Sequence, residues 1–188
     1  MSAVPPARTN DTSAKMALLD ILEVPDHRLT TRSAPVERID AELLRLLDDM
    51  LETMYAAPGI GLAAPQVGVL KRAFVADLGG DGERTPIYVI NPEIVGRSET
   101  SNVAEEGCLS LPKHFGEVSR FDQVRVRYLD RAGAAQEIAA EGLLARCLQH
   151  EIDHLNGVLF VDHLSALRRT MILRKLAKAK RSRQRESA

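Results

Sequence analysis

Leu143-Leu144-Ala145-Arg146-Cys147-Leu148-Gln149-His150-Glu151-Ile152-Asp153-His154-Leu155, followed by Asn156-Gly157, is the stretch that decides the fold. Apolar residues recur at the helical period from Leu143 to Leu155, and the run stops where Gly157 suits a left-handed cap. The pattern predicts a helix of about four turns with one face buried. His150 and His154 stand four residues apart and share a face, so their imidazoles can close on one divalent ion. Glu151, between them, is then placed to handle a proton beside that ion.

Two histidines need a third protein ligand, and its source separates the possible chemistries. The extended metalloprotease pattern would put a third histidine where Phe160 stands. Only Asp162 and Glu186 follow as acids, the latter in a basic tail. Of the two cysteines, Cys147 lies seven residues before His154. That is roughly 10.5 Å along a helix axis, too far for a shared ion, so Cys147 reads as a small buried apolar residue. Cys108 sits in Glu105-Glu106-Gly107-Cys108-Leu109-Ser110-Leu111-Pro112, a glycine-bearing segment bounded by proline. Such a segment forms a strand end or turn that can swing a thiolate toward a distant helix. Alone, Cys108 reads equally well as a core thiol; beside a helix short of a ligand it becomes the third donor.

One cysteine and two histidines leave a fourth position open, which marks a catalytic site rather than a structural zinc. An ion with an open position lowers the pKa of bound water, and Glu151 would take and redeliver the proton. The reaction class that follows is hydrolysis of an amide or ester. A thiolate returns charge to the ion, so the donor set suits iron(II) as well as zinc.

Gly59-Ile60-Gly61-Leu62-Ala63-Ala64-Pro65-Gln66-Val67-Gly68 offers small residues for close backbone approach and is a candidate source of oxyanion donors. The safer reading from composition is a plain turn between the helix before Pro58 and the strand after Lys71, with Pro65 ending any helix before Gln66. Phosphate cradling is excluded, because there is no Gly-Lys-Ser/Thr and the glycine spacing is wrong for a dinucleotide fold.

Together, Gly59–Gln66, Glu106–Ser110 and Gln149–His154, in that order and at these separations, resemble the peptide deformylases of the bacterial type. The similarity runs from about Met16 to about Arg174. The resemblance implies a hydrolase that removes the N-formyl group from the initiator methionine of nascent chains and releases formate. It implies one Fe2+ per chain on Cys108, His150 and His154, with Zn2+, Ni2+ or Co2+ able to substitute, and Glu151 as general acid and base. The Gln66 side-chain amide and the Leu109 backbone N–H would hold the formyl oxygen, and Ile60, Gly61, Leu143 and Cys147 would wall the methionine pocket. After Pro112, Lys113-His114-Phe115-Gly116 departs from the commoner family pattern, which carries a basic or tyrosine residue at the Phe115 position. That and Arg146, beside the pocket positions, bear on preferences beyond the first methionine.

The rest of the chain is consistent with one catalytic domain of α+β class, with small mixed or antiparallel sheets wrapped around the metal-binding helix and a C-terminal helix. With 188 residues, 45% apolar, it can bury a substantial core. Two separated cysteines give no disulfide framework and no run is long and apolar enough to span a membrane, so a reducing cytoplasm is expected. Residues 1–15 read as a disordered extension with Met16 a candidate start, 16–167 as the catalytic domain, and 168–188 as a basic helix or tail. Ile39–Ala57 reads as a helix; Lys71–Leu78, Ile87–Val95 and a segment near Gln136–Ala140 as strands; Val118–Asp130 as containing one more. Arg120 and Asp153 are candidates to orient ligands, while His27, His114 and His163 read as ordinary polar positions.

Net charge is −1, but residues 168–188 hold nine Lys/Arg against one Glu, leaving −9 for residues 1–167. The basic segment reads either as a solvated helix face or as an electrostatic contact with ribosomal RNA near the emerging nascent chain. Two other readings stand at this point: a metallopeptidase, and a ribosome-binding protein with a structural metal.

Overall fold

The computed structural model describes residues 17–79 and 82–186. The expected extension over residues 1–15 and the candidate start at Met16 lie outside the described residues. Helix α1 (Ala41–Ala56) starts where the Asp40 side chain accepts from the Leu43 N–H at 3.0 Å, satisfying one of the free donors of the first turn. Strands β1 (Gly61–Ala63), β2 (Ala73–Ala76), β3 (Ile87–Arg97), β6 (Gln123–Leu129) and β7 (Ala135–Glu141) form an antiparallel sheet in the order β1-β2-β3-β6-β7. Strands β4 (Ser101–Gly107) and β5 (Phe115–Phe121) form a separate two-stranded antiparallel ribbon.

Side-chain alternation in β2 assigns the two faces of the large sheet. Ala73 and Val75, with Ile90, pack against Leu43, Leu47, Met50 and Met54 of α1. Phe74 and Ala76, with Val89, Val124 and Val126, face Ala145, Leu148, Ile152 and Leu155 of the helix α2 (Gly142–Leu155). Burying each of these large side chains contributes about 1.5–3 kcal/mol. β7 runs into α2 without a loop, and Gly142 turns the corner at φ +57°, a conformation that suits glycine.

The far end of α2 is fixed as firmly. Gly157 has φ +76°, its N–H reaches the His154 carbonyl at 3.1 Å, and a Cβ there would lie 2.7 Å from the Thr30 carbonyl oxygen. The Arg72 guanidinium donates to the Leu155 carbonyl at 3.3 Å and to Asn156 Oδ1 at 2.9 Å, satisfying a terminal acceptor with a cation. Helix α3 (Ala166–Glu186) packs Ile172, Leu173 and Leu176 on a third cluster with Leu29, Val118 and Phe160, and Arg183 pairs with Glu23 at 2.6 Å.

Two local expectations change, and one strand had no sequence signal. Val118–Asp130 spans two strands in different sheets, β5 and β6, because alternation continues through Asp122 with no glycine or proline to mark the break. β4 has no apolar alternation to betray it: of its seven residues only Glu106 is buried. Pro65 does not end a helix; it sits in the first turn of a 3-10 helix over Ala64–Val67, where its missing N–H costs nothing.

Candidate metal and catalytic site

Cys108 follows the last residue of β4, and the ribbon it belongs to lies against α2, which carries both histidines. One donor atom from each of Cys108, His150 and His154 lies within 4.8 Å of the others. Cys108 Sγ is 3.2 Å from His154 Nε2, and the imidazole rings meet edge to face at 4.9 Å between centroids. Ligands bound to one ion at about 2.0–2.3 Å stand roughly 3–4 Å apart, so the trio fits one ion after shifts of less than about an ångström. Charge agrees with that fit. Burial works against charge on His150, but the Cys108 sulfur and the Glu106 carboxylate beside it outweigh this, so the space between them favours a positive charge. Burial, then the neighbouring His150, keeps the His154 pKa well below its usual value, leaving a neutral imidazole able to donate a lone pair.

Glu151 is 4% exposed, and burial pushes its pKa up to about 7. Its Oε2 is buried without a hydrogen-bond partner among the described residues, as is Nδ1 of His154. Gly61 lets the carboxyl in: a Cβ at that position would collide with Glu151 Oε1 and stand 2.8 Å from Cδ. Gln66 is 2% exposed and held at both ends of its amide. Oε1 accepts from the Ala63 N–H at 2.8 Å, and Nε2 points to Cys108 Sγ at 3.5 Å and Ser110 Oγ at 3.2 Å.

A cavity of about 510 Å³ opens beside these groups, with Ile60, Gly61, Leu109, Leu143, Cys147 and Glu151 on its walls. Ile60 and Leu143 are 41% and 56% exposed, so they form an apolar mouth, whereas Cys147 is buried at depth with its Sγ 3.6 Å from the Ile60 carbonyl. Burial raises the Cys147 pKa well above its usual value, so it is a neutral thiol and an apolar wall. Every residue singled out from the sequence as ligand, proton carrier, carbonyl donor or pocket wall therefore borders or adjoins one cavity.

Glu106 was not foreseen, although its place two residues before Cys108 on a strand was a signal. Its Oε2 accepts from His150 Nδ1 at 3.0 Å and from Arg120 Nη2 at 3.0 Å, and its Oε1 from Arg120 Nε at 2.9 Å and Arg146 Nη1 at 2.7 Å. Burial alone would raise its pKa, but the His150 and Arg120 hydrogen bonds outweigh that and hold the carboxyl well below the usual range. Arg120 also grips Asp153, which bonds His163 at 2.7 Å. His163 thus belongs to the support of the site, while His27 is a surface residue and the His114 ring reaches the Pro112 carbonyl at 2.9 Å. Ser110, fully buried beneath Gln66, was also missed.

The polypeptide deformylase family model matches residues 18–170. The peptide deformylase of Rhizobium meliloti (strain 1021) is 54% identical over 169 residues, covering 89% of this chain and 97% of that relative. That of Zymomonas mobilis is 53% identical over 174 residues, covering 90% and 98%. Among solved structures, the Legionella pneumophila peptide deformylase superposes with a TM-score of 0.83 at 51% identity, covering 90% of this chain and 99% of that one. The Ehrlichia chaffeensis enzyme, solved in complex with actinonin, gives 0.85 at 45% identity, covering 88% and 99%.

Proposed function

The chain belongs to the polypeptide deformylase family, metal-dependent hydrolases that remove the N-formyl group from the initiator methionine of nascent chains, and on that premise we propose how its own residues divide the work. Cys108, His150 and His154 hold the ion, which is iron(II). The observation that carries this is three mutually close donors beside a buried, unpartnered carboxyl on the wall of one cavity. When bound, the ion supplies Lewis-acid chemistry, acidifying water and polarising the formyl carbonyl. A mixed thiolate and imidazole set is borderline-soft and accepts iron(II) as readily as zinc.

Glu151 accepts the proton of the attacking water and returns it to the methionine nitrogen as the C–N bond breaks; a pKa near 7 suits both transfers. Gln66 donates its fixed amide N–H to the formyl oxygen, together with the Leu109 backbone N–H, so that both donors meet the charge that develops there. Gly61 and the carboxyl packed against it leave room for a hydrogen on the acyl carbon and crowd out a methyl group. Ile60, Leu143 and Cys147 receive the methionine side chain, whose burial contributes about 1.5–3 kcal/mol.

The test is formate release from an N-formyl-methionyl peptide by protein prepared anaerobically with iron(II), beside acetate release from the N-acetyl twin. Formate from the first and no acetate from the second is expected. Equal turnover of both would overturn the narrow acyl site, and turnover lost by iron-loaded but kept by zinc-loaded protein would overturn the choice of ion.

The working compartment is the cytoplasm, and no helix among the described residues is long and apolar enough to cross a membrane. The basic face of α3 docks on the ribosome, supported by the charge of residues 168–188 and by the exposure of most of the described side chains of α3. Deleting residues 175–188 should weaken ribosome binding and flatten its salt dependence. Unchanged binding would leave α3 as a solvated face.

A further inference from the structure

Arg146 is a buried charged residue of α2 that the proposed chemistry does not use. It is 9% exposed, and its guanidinium hydrogen bonds among the described residues reach the ribbon: Glu106 Oε1 at 2.7 Å, the Val118 carbonyl at 2.9 Å, and the Asn102 side chain and carbonyl, the latter at 3.1 Å. We propose that Arg146 is a positioning residue that locks the β4–β5 ribbon to α2, fixing the His150 ring through Glu106 and presetting the distance from Cys108 to the two histidines. The inference rests on Cys108, His150 and His154 being the metal ligands.

Three features carry it. Cys108 hangs from a ribbon that shares no ladder with the large sheet, whereas the histidines stand on a helix anchored to that sheet. Their separation therefore depends on what ties ribbon to helix. The Arg120–Glu106 pair does not do so by itself, since both residues belong to the ribbon and move with it. Of the α2 side chains that reach the ribbon, Gln149 and Asp153 hold β5 at Phe121 and Arg120, whereas Arg146 holds β4 at Asn102, β5 at Val118 and the carboxylate two residues before Cys108.

The second feature is the division of one carboxylate between two residues of one helix. Arg146 takes Oε1 and His150, one turn further on, takes Oε2. Held at both oxygens from the same helix, the carboxylate plane cannot rotate without breaking a charge-assisted bond, and the direction in which it meets His150 Nδ1 is fixed. The third is that His154 has no equivalent support, its Nδ1 being buried without a partner among the described residues. Ring orientation in this site is thus held by partners at His150, and partners of this kind affect metal affinity by about 10–100-fold.

The experiment compares full-length wild type with Arg146→Met, Arg146→Lys, Asn102→Ala and His150→Ala, each loaded with Zn2+, and follows transfer of the ion to a chromophoric chelator. Arg146→Met should release zinc about 10–100 times faster than wild type. Arg146→Lys, which keeps a cation on Glu106, should recover part of that, and Asn102→Ala, which loosens only the far end of the tie, should give a smaller increase in the same direction. Thermal unfolding of the metal-free proteins serves as the control for a merely structural role. If Arg146→Met lowers their Tm but leaves the zinc off-rate at the wild-type value, the inference is overturned. If Arg146→Met does not fold, Asn102→Ala decides: an unchanged off-rate there overturns it as well. His150→Ala tests the underlying ligand assignment separately, since zinc retained at wild-type strength in that variant would remove the premise, while zinc lost there with Arg146→Met unchanged would remove only the role of Arg146.

Discussion

Gly61→Ala should separate the placing of Glu151 from the binding of the ion. A Cβ at position 61 would stand 2.8 Å from Glu151 Cδ and in collision with Oε1, and ordinary contact begins at 3.4 Å. The carboxyl must therefore withdraw by roughly 0.6 Å or more, into a core packed at crystal-like density. Misplacing a reacting group by about 1 Å costs on the order of 10²-fold in rate, so kcat for formate release should fall by about that factor. Overpacking should also cost about 1–3 kcal/mol of stability. The atoms nearest a Cβ at position 61 all belong to Glu151 and not to the three metal donors, so metal content measured by elemental analysis should match the parent. The assay is formate release with kcat and KM determined separately, because Gly61 also lies on the cavity wall. A variant with parental kcat and a raised KM would refute the reasoning, since it would mean that Gly61 shapes the pocket without setting the position of the carboxyl.

Glu151→Gln keeps the shape and removes the proton carrier; kcat should drop about 10²–10⁴-fold with the metal retained, checked by the same assays. Gly157→Ala should lower stability by about 1–3 kcal/mol in thermal unfolding, because it forces alanine to φ +76° against the Thr30 carbonyl. Arg72→Met, at the same helix end, should destabilise by a smaller amount, about 1 kcal/mol, with the lost carbonyl contact as its cause. Tyr55 should show little phenolate absorbance at pH 10, since burial and the Asp77 carboxylate take its pKa to about 12, and burial shifts Tyr88 and Tyr128 in the same direction. A folded pKa above the unfolded value means that this contribution to stability is complete below about pH 10. It is lost as pH rises toward 12, and Tyr55→Phe should blunt that alkaline decline in a denaturation series.

What could be read from the chain and what could not follows from where each signal resides. The α2 helix was legible because its apolar period, its two histidines and its terminal Gly157 all lie within one local stretch. Cys108 became legible only as the answer to a missing ligand, and Gln66, Leu109 and the pocket walls only through resemblance, since nothing local says which way an amide or a backbone N–H will point. Glu106 and Ser110 stayed hidden because their importance is a matter of burial and partners: Glu106 is the sole buried residue of a strand with polar composition. Arg146 drew notice as a neighbour of the pocket, but that its guanidinium is held by the ribbon is set by tertiary packing.

The junction of β7 and α2 has a consequence for how the site breathes. With no loop between them, the strand and the helix form one mechanical unit, so the histidine half of the site opens only when the large sheet does. The cysteine half is carried by two strands that share no ladder with the large sheet and are tied to α2 by Arg146, Gln149, His150 and Asp153, so its opening takes a fraction of the global unfolding free energy. The two halves of one chemical centre thus belong to separate cooperative units. Amide exchange should accordingly be faster in β4 and β5 than in α2, with the ribbon that carries Cys108 opening while the two histidines stay on the sheet-anchored helix; equal rates would refute this.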